Sequence, residues 1–146
     1  MPARFGFGAA CEFDPGKTDS DNCVYGNPQS PTRVALVGDS HAAQWFPALE
    51  QIAKRRNWRL LVLTKKGCAM AEFVTYDESN KKRVECAPWR KRVYTRLREE
   101  KPDLILTGTY RYRLATRPAR SNARDQWTTA LKPTLKTLRT ISSRVV

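Results

Sequence analysis

With 146 residues the chain has room for one domain and a modest core, and its 40% hydrophobic content is that of a globular chain. No apolar run approaches the roughly 18 residues that a membrane span needs, and Met1-Pro2-Ala3-Arg4-Phe5-Gly6 lacks the apolar core of a signal peptide. Net charge is +13, from 27 Lys and Arg against 14 Asp and Glu, but the basic residues are scattered and no nucleic-acid-binding motif accompanies them, which argues against a nucleic-acid partner.

Residues 1–31 read as a loop-rich linker with no helical or strand period. Gly6, Gly8, Pro15, Gly16, Gly26, Pro28 and Pro31 punctuate it. The apolar run Val34-Ala35-Leu36-Val37 is then stopped by Gly38-Asp39-Ser40. Helix-compatible residues follow to Arg56, and Leu60-Leu61-Val62-Leu63 is a second apolar run. This is a β-α-β unit with parallel strands, given the right-handed crossover rule. Proline suits a first helical turn and disrupts an interior, so Pro47 divides the helical stretch. Ser40 to Gln44 should form one tight turn, and the main helix should start near Phe46. Its inward face would be Trp45 or Phe46, with Leu49, Ile52 and Ala53. Asn57 is its stop signal.

Residues 65–85 form a long polar excursion bounded by Cys68 and Cys86. Pro88 opens a second helix whose buried face is Trp89, Val93 and Leu97, and Lys101-Pro102 ends it. Leu104-Ile105-Leu106 is a third strand. A basic loop follows, in which Arg111, Arg113, Arg117, Arg120 and Arg124 are interleaved with Tyr112 just after Tyr110. The last helix covers about 123–142, with the apolar stripe Trp127, Leu131, Leu135, Leu138 and Ile141. Pro133 should kink or divide it. Arg144-Val145-Val146 looks like the first step of another strand.

The four cysteines, Cys11, Cys23, Cys68 and Cys86, include no C-x-x-C pair, and the chain has one histidine, so no metal site is expected. Four cysteines allow three connectivities. Neighbour pairing, Cys11 with Cys23 and Cys68 with Cys86, is the simplest. Each bridge would staple a loop with little core of its own and would favour an oxidising, extracytoplasmic location.

Ser40 lies where the first strand ends and the helix begins, the edge at which open α/β sheets bind ligands. Gly38-Asp39-Ser40 alone is also an ordinary turn and N-cap. The longer string Val37-Gly38-Asp39-Ser40-His41-Ala42 resembles the first motif block of the SGNH (GDSL-like) hydrolases and acyltransferases. Within that superfamily it is similar to the extracytoplasmic SGNH domain fused to bacterial family-3 membrane acyltransferases. The resemblance continues through Trp45-Phe46-Pro47-Ala48-Leu49, Trp58-Arg59-Leu60 and Thr64-Lys65-Lys66-Gly67-Cys68, with echoes at Cys86-Ala87-Pro88-Trp89-Arg90 and Lys101-Pro102-Asp103-Leu104-Ile105-Leu106.

The resemblance implies a three-layer, flavodoxin-like α/β fold with a short parallel sheet, truncated here before its last strands, with 32–146 as the N-terminal portion of the domain. It implies a serine-dependent O-acyltransferase or acetylesterase of cell-wall or surface polysaccharide, in the cell envelope. Ser40 would be the nucleophile, with no cofactor. Its partners would be an acyl donor, a polysaccharide acceptor and a membrane acyltransferase domain that this chain lacks. Gly38 and Asp39 would shape the turn, and Gly67 and His41 would serve the oxyanion or the substrate.

Two features depart from the family pattern. The family's base comes from a C-terminal D-x-x-H block, and no histidine follows His41 here. Its third block carries an asparagine, where this chain has Gly108 and Thr109; Asn122 is too far along to match. His41 adjoins Ser40, and adjacent residues do not point the same way. The fragment is therefore expected to be catalytically inactive alone. The alternative is a non-catalytic extracellular module whose basic surface binds an anionic glycan.

Overall fold

The structure is a computed structural model that describes residues 23–110 and 123–146. In chain order its elements are β1 (Val24–Gly26), β2 (Arg33–Gly38), α1 (Ser40–Ala43), α2 (Phe46–Arg56), β3 (Arg59–Thr64), α3 (Cys86–Glu100), β4 (Leu104–Gly108) and α4 (Ala123–Ile141). The strands form one open sheet in the order β1-β3-β2-β4. β2 pairs in parallel with both β3 and β4, in a register that sets Gly38 between Thr64 and Gly108.

Strands β2 and β3 are continuous apolar runs because both faces of the sheet are covered. Val34, Leu36, Leu60 and Val62 point to one face, where Ala53 of α2 and Ala42 of α1 close the core. Ala35, Val37, Leu61, Leu63 and Ile105 point to the other, against Trp89, Val93 and Leu97 of α3 and Leu138 of α4. This is the expected three-layer α/β arrangement.

The helix boundaries have local causes. Asn57 (φ 56°) and Lys101 (φ 49°) end α2 and α3 in the left-handed conformation, and Pro102 prevents α3 from continuing. Helix α3 begins at Cys86, two residues earlier than Pro88 suggests, with Pro88 in its first turn. Phe46, not Trp45, faces inward: its ring packs on Tyr25 at 4.5 Å, while Trp45 is 66% exposed. Pro133 does not divide α4. It lies on the exposed side, as does Thr129, whose carbonyl loses its usual partner, so water can serve that group.

Two expectations need correction. Residues 24–26 are not loop: β1 pairs antiparallel with β3, from Val24 opposite Leu61 to Gly26 opposite Arg59. The sheet is therefore mixed, with an antiparallel edge. Nor is the segment after β3 wholly polar: Cys68, Ala69, Met70 and Ala71 are buried in the core. At the other edge, Val145 bridges Ile105 in parallel, and the N–H of Val146 donates to the Ile105 carbonyl at 2.9 Å. Val145 thus lies beside β4 as an isolated bridge, not as a strand of the sheet.

Candidate functional site

Strand β2 delivers Gly38, Asp39 and Ser40 to the carboxyl edge of the sheet. Gly38 (φ +139°) lets the chain turn there; a Cβ would lie 2.1 Å from the Gly108 carbonyl oxygen and 2.9 Å from the Ala42 Cβ. Gly38, Gly108 and Ala42 are small because α1 is packed directly on the ends of two strands.

Asp39 is fully buried and caps α1. Its Oδ1 accepts from the His41 N–H at 2.8 Å. Its Oδ2 accepts from the Thr109 hydroxyl at 3.0 Å and the Tyr110 N–H at 2.7 Å. One carboxylate therefore ties the start of α1 to the exit of β4. That is a structural reason for the Gly108-Thr109 pair: Thr109 directs its hydroxyl at Asp39.

Ser40 is half-buried, at the first position of α1. Among the described residues no hydrogen bond engages its hydroxyl or its N–H. A serine at this junction can attack with Oγ and offer its own N–H to the oxyanion. His41 is turned to other neighbours. Its ring stacks on Tyr110 with centroids 4.7 Å apart, and its buried Nδ1 lies 3.8 Å from Asp39 Oδ1 without a hydrogen bond. No hydrogen bond joins it to Ser40 among the described residues.

Gly67 comes to the same edge. Thr64 is beside Gly38 in the sheet, and the Lys65 N–H donates to the Gly38 carbonyl at 3.0 Å. Residues 65–68 then form a turn closed by the Cys68 N–H on the Lys65 carbonyl at 3.1 Å, with Gly67 at its third position (φ +77°), where glycine is favoured. The Gly67 carbonyl accepts from the Thr75 hydroxyl at 3.1 Å. A Cβ on Gly67 would lie 2.6 Å from the Arg83 guanidinium.

The Cys68–Cys86 disulfide is formed, with Cα atoms 5.1 Å apart, and anchors this turn to the start of α3. Cys68, Glu85 and Cys86 place three metal-type donor atoms within 4.8 Å of one another, but the two sulfurs are bonded together and offer no thiolate. Cys11, and with it the pairing of Cys11 with Cys23, lies outside the described residues, as do Asn122 and the basic stretch 111–122. Sequence reasoning missed Thr109 and Tyr110 as partners of Asp39. Only Gly108 at the end of β4, next to Gly38 in a parallel sheet, and the Thr109 that follows it pointed to them.

A family model, that of the SGNH domain fused to AT3 domains, matches residues 10–146. Among solved structures, the periplasmic domain of the lipopolysaccharide acetyltransferase of Salmonella ser. Paratyphi A is similar in fold, with a TM-score of 0.61 and 15% identity. The alignment covers 80% of this chain and 43% of that one, so this chain spans less than half of its length. No curated protein matches the sequence.

Proposed function

This chain belongs to the family of SGNH domains fused to AT3 domains, and on that premise we propose that it serves serine-dependent acyl transfer to cell-wall or surface polysaccharide. The observation that carries the reading is Ser40 at the carboxyl end of a central parallel strand, with its hydroxyl and N–H unengaged among the described residues. In the proposed reaction, Ser40 Oγ attacks the acetyl carbonyl of a donor and its proton passes to a base. The donor's leaving group departs, and an acetyl-serine remains. A sugar hydroxyl, or water, then takes the acetyl group and regenerates the serine. Ser40 N–H and the turn at Gly67 supply donors for the oxyanion.

The acyl donor would come from the fused membrane acyltransferase domain, and the reaction would be extracytoplasmic. Two observations support that location: the disulfide, which suits an oxidising compartment, and the periplasmic setting named for the Salmonella protein. Among the described residues no helix is long and apolar enough to cross a membrane.

The base is the gap. His41 is the sole histidine, and it faces Asp39 and Tyr110. A positioned base contributes about 10²–10⁴-fold, so residues 1–146 alone should be slow. The test is hydrolysis of an activated acetyl ester with and without added imidazole as a surrogate base, in the native and Ser40→Ala proteins. We expect a Ser40-dependent rate only with imidazole, above the reaction of imidazole in solution. Equal rates for both proteins in all conditions would remove Ser40 from the chemistry. Ser40-dependent turnover without imidazole would show that the chain contains its own base.

A further inference from the structure

The disulfide-closed segment and α3 enclose a groove of about 620 Å³, within the usual range for ligand sites of about 300–1,000 Å³. Four of its lining residues are basic, Lys82, Arg83, Arg90 and Lys91, against one carboxylate, Glu72. Arg83 is paired with Glu85 at 3.3 Å, whereas the Lys82 and Lys91 side chains are exposed.

Arg90 differs from a surface arginine. It is only 9% exposed, and one guanidinium nitrogen, Nη1, donates to the Ala69 carbonyl at 3.0 Å. Its other guanidinium nitrogens are neither hydrogen-bonded nor sealed from solvent among the described residues. Burial pushes its pKa below the ordinary arginine value, although Glu72 acts in the opposite direction. A guanidinium held in place with free donors matches a carboxylate or phosphate, which it can grip with a two-pronged hydrogen bond. Phe73 and Tyr94 also line the groove, with the Phe73 ring packed on Trp127 at 4.8 Å and Arg98 over the Tyr94 ring at 5.8 Å. The groove is built from the segment between β3 and α3 and from the first turns of α3.

We infer that this groove binds an acidic glycan, with Arg90 as the fixed anion contact and Lys82 and Lys91 as rim charges. The inference rests on the polysaccharide reading above and narrows the acceptor to a chain bearing carboxylate or phosphate groups. Binding is measured by calorimetry at low ionic strength in the Ser40→Ala protein, so the result does not depend on whether the serine reacts. The probes are a short oligogalacturonate, a neutral maltodextrin and a single-stranded DNA of matched charge. We expect oligogalacturonate to bind and maltodextrin not to bind, with DNA weaker than the glycan. The Lys82→Glu/Lys91→Glu protein, altered only at exposed positions, should bind oligogalacturonate on the order of tenfold less tightly. Arg90→Lys, which keeps the charge and loses the fork, should lose a similar factor. No binding, equal binding of maltodextrin, tighter binding of DNA, or affinity unchanged by Lys82→Glu/Lys91→Glu would each overturn the inference.

Discussion

Replacing Asp39 by alanine tests whether one carboxylate holds the nucleophile turn to the sheet. The side chain is fully buried and, among the described residues, accepts hydrogen bonds from the His41 N–H (2.8 Å), the Thr109 hydroxyl (3.0 Å) and the Tyr110 N–H (2.7 Å). Loss of the N-cap alone costs about 1 kcal/mol. Leaving the Tyr110 N–H unpaired costs about 1–2 kcal/mol more. The Thr109 hydroxyl loses less, because the Tyr110 carbonyl lies 3.3 Å away as a second acceptor. The sum is about 3 kcal/mol, or a fall in Tm of roughly 6–12 °C for a chain of this size. Asp39→Asn should fall between, since its amide NH2 must face one of two N–H donors. Urea titration followed by tryptophan fluorescence reads the change as a lower midpoint at constant slope. Asp39→Ala within about 1 kcal/mol of the native protein would refute the argument, because an N-cap alone accounts for that much.

The Cys68–Cys86 bridge, with a sequence separation of 18, should contribute about 3 kcal/mol by restricting the unfolded chain, a loss that urea titration of the Cys68→Ala/Cys86→Ala protein should show. Gly38→Ala should destabilise by about 3–5 kcal/mol, read in the same way, because the new Cβ meets the Gly108 oxygen at 2.1 Å and φ is +139°. Glu100 contributes to the acid limb. Burial alone would raise its pKa, but the guanidinium of Arg59, bonded to both carboxylate oxygens, and that of Arg96 hold it below the ordinary value. A depressed carboxylate pKa gives stability that is complete above the ordinary glutamate pKa and is lost as pH falls through the folded value. Midpoints measured from pH 7 down into the acid range should therefore fall less steeply in Glu100→Gln than in the native protein.

The central strands were legible because burial on both faces leaves continuous apolar runs, and Gly38, Asn57 and Pro102 mark where they or their helices must stop. Strand β1 was not. Val24-Tyr25-Gly26 is too short to show a period, and it becomes a strand because β3 has an unpaired edge and Tyr25 packs on Phe46. Residues 68–71 read as loop for a similar reason: Ala69, Met70 and Ala71 have no regular spacing. They are buried because the disulfide holds one end and the Thr134 hydroxyl of α4 donates to the Met70 carbonyl at 3.2 Å. In the site, the position of Ser40 follows from the end of an apolar run. The ties from Thr109 and Tyr110 span some 70 residues, and only the parallel register of β2 and β4 brings them to Asp39.

The central claim is that Ser40 takes an acyl group onto its oxygen once a base is supplied. The most direct measurement is peptide mapping by mass spectrometry after brief incubation of the protein with an activated acetyl ester and imidazole, quenched in acid. The account predicts one acetyl group on the peptide containing Ser40, dependent on imidazole and absent from the Ser40→Ala protein. Acetylation confined to lysines, or occupancy of that peptide unchanged by Ser40→Ala, would contradict it.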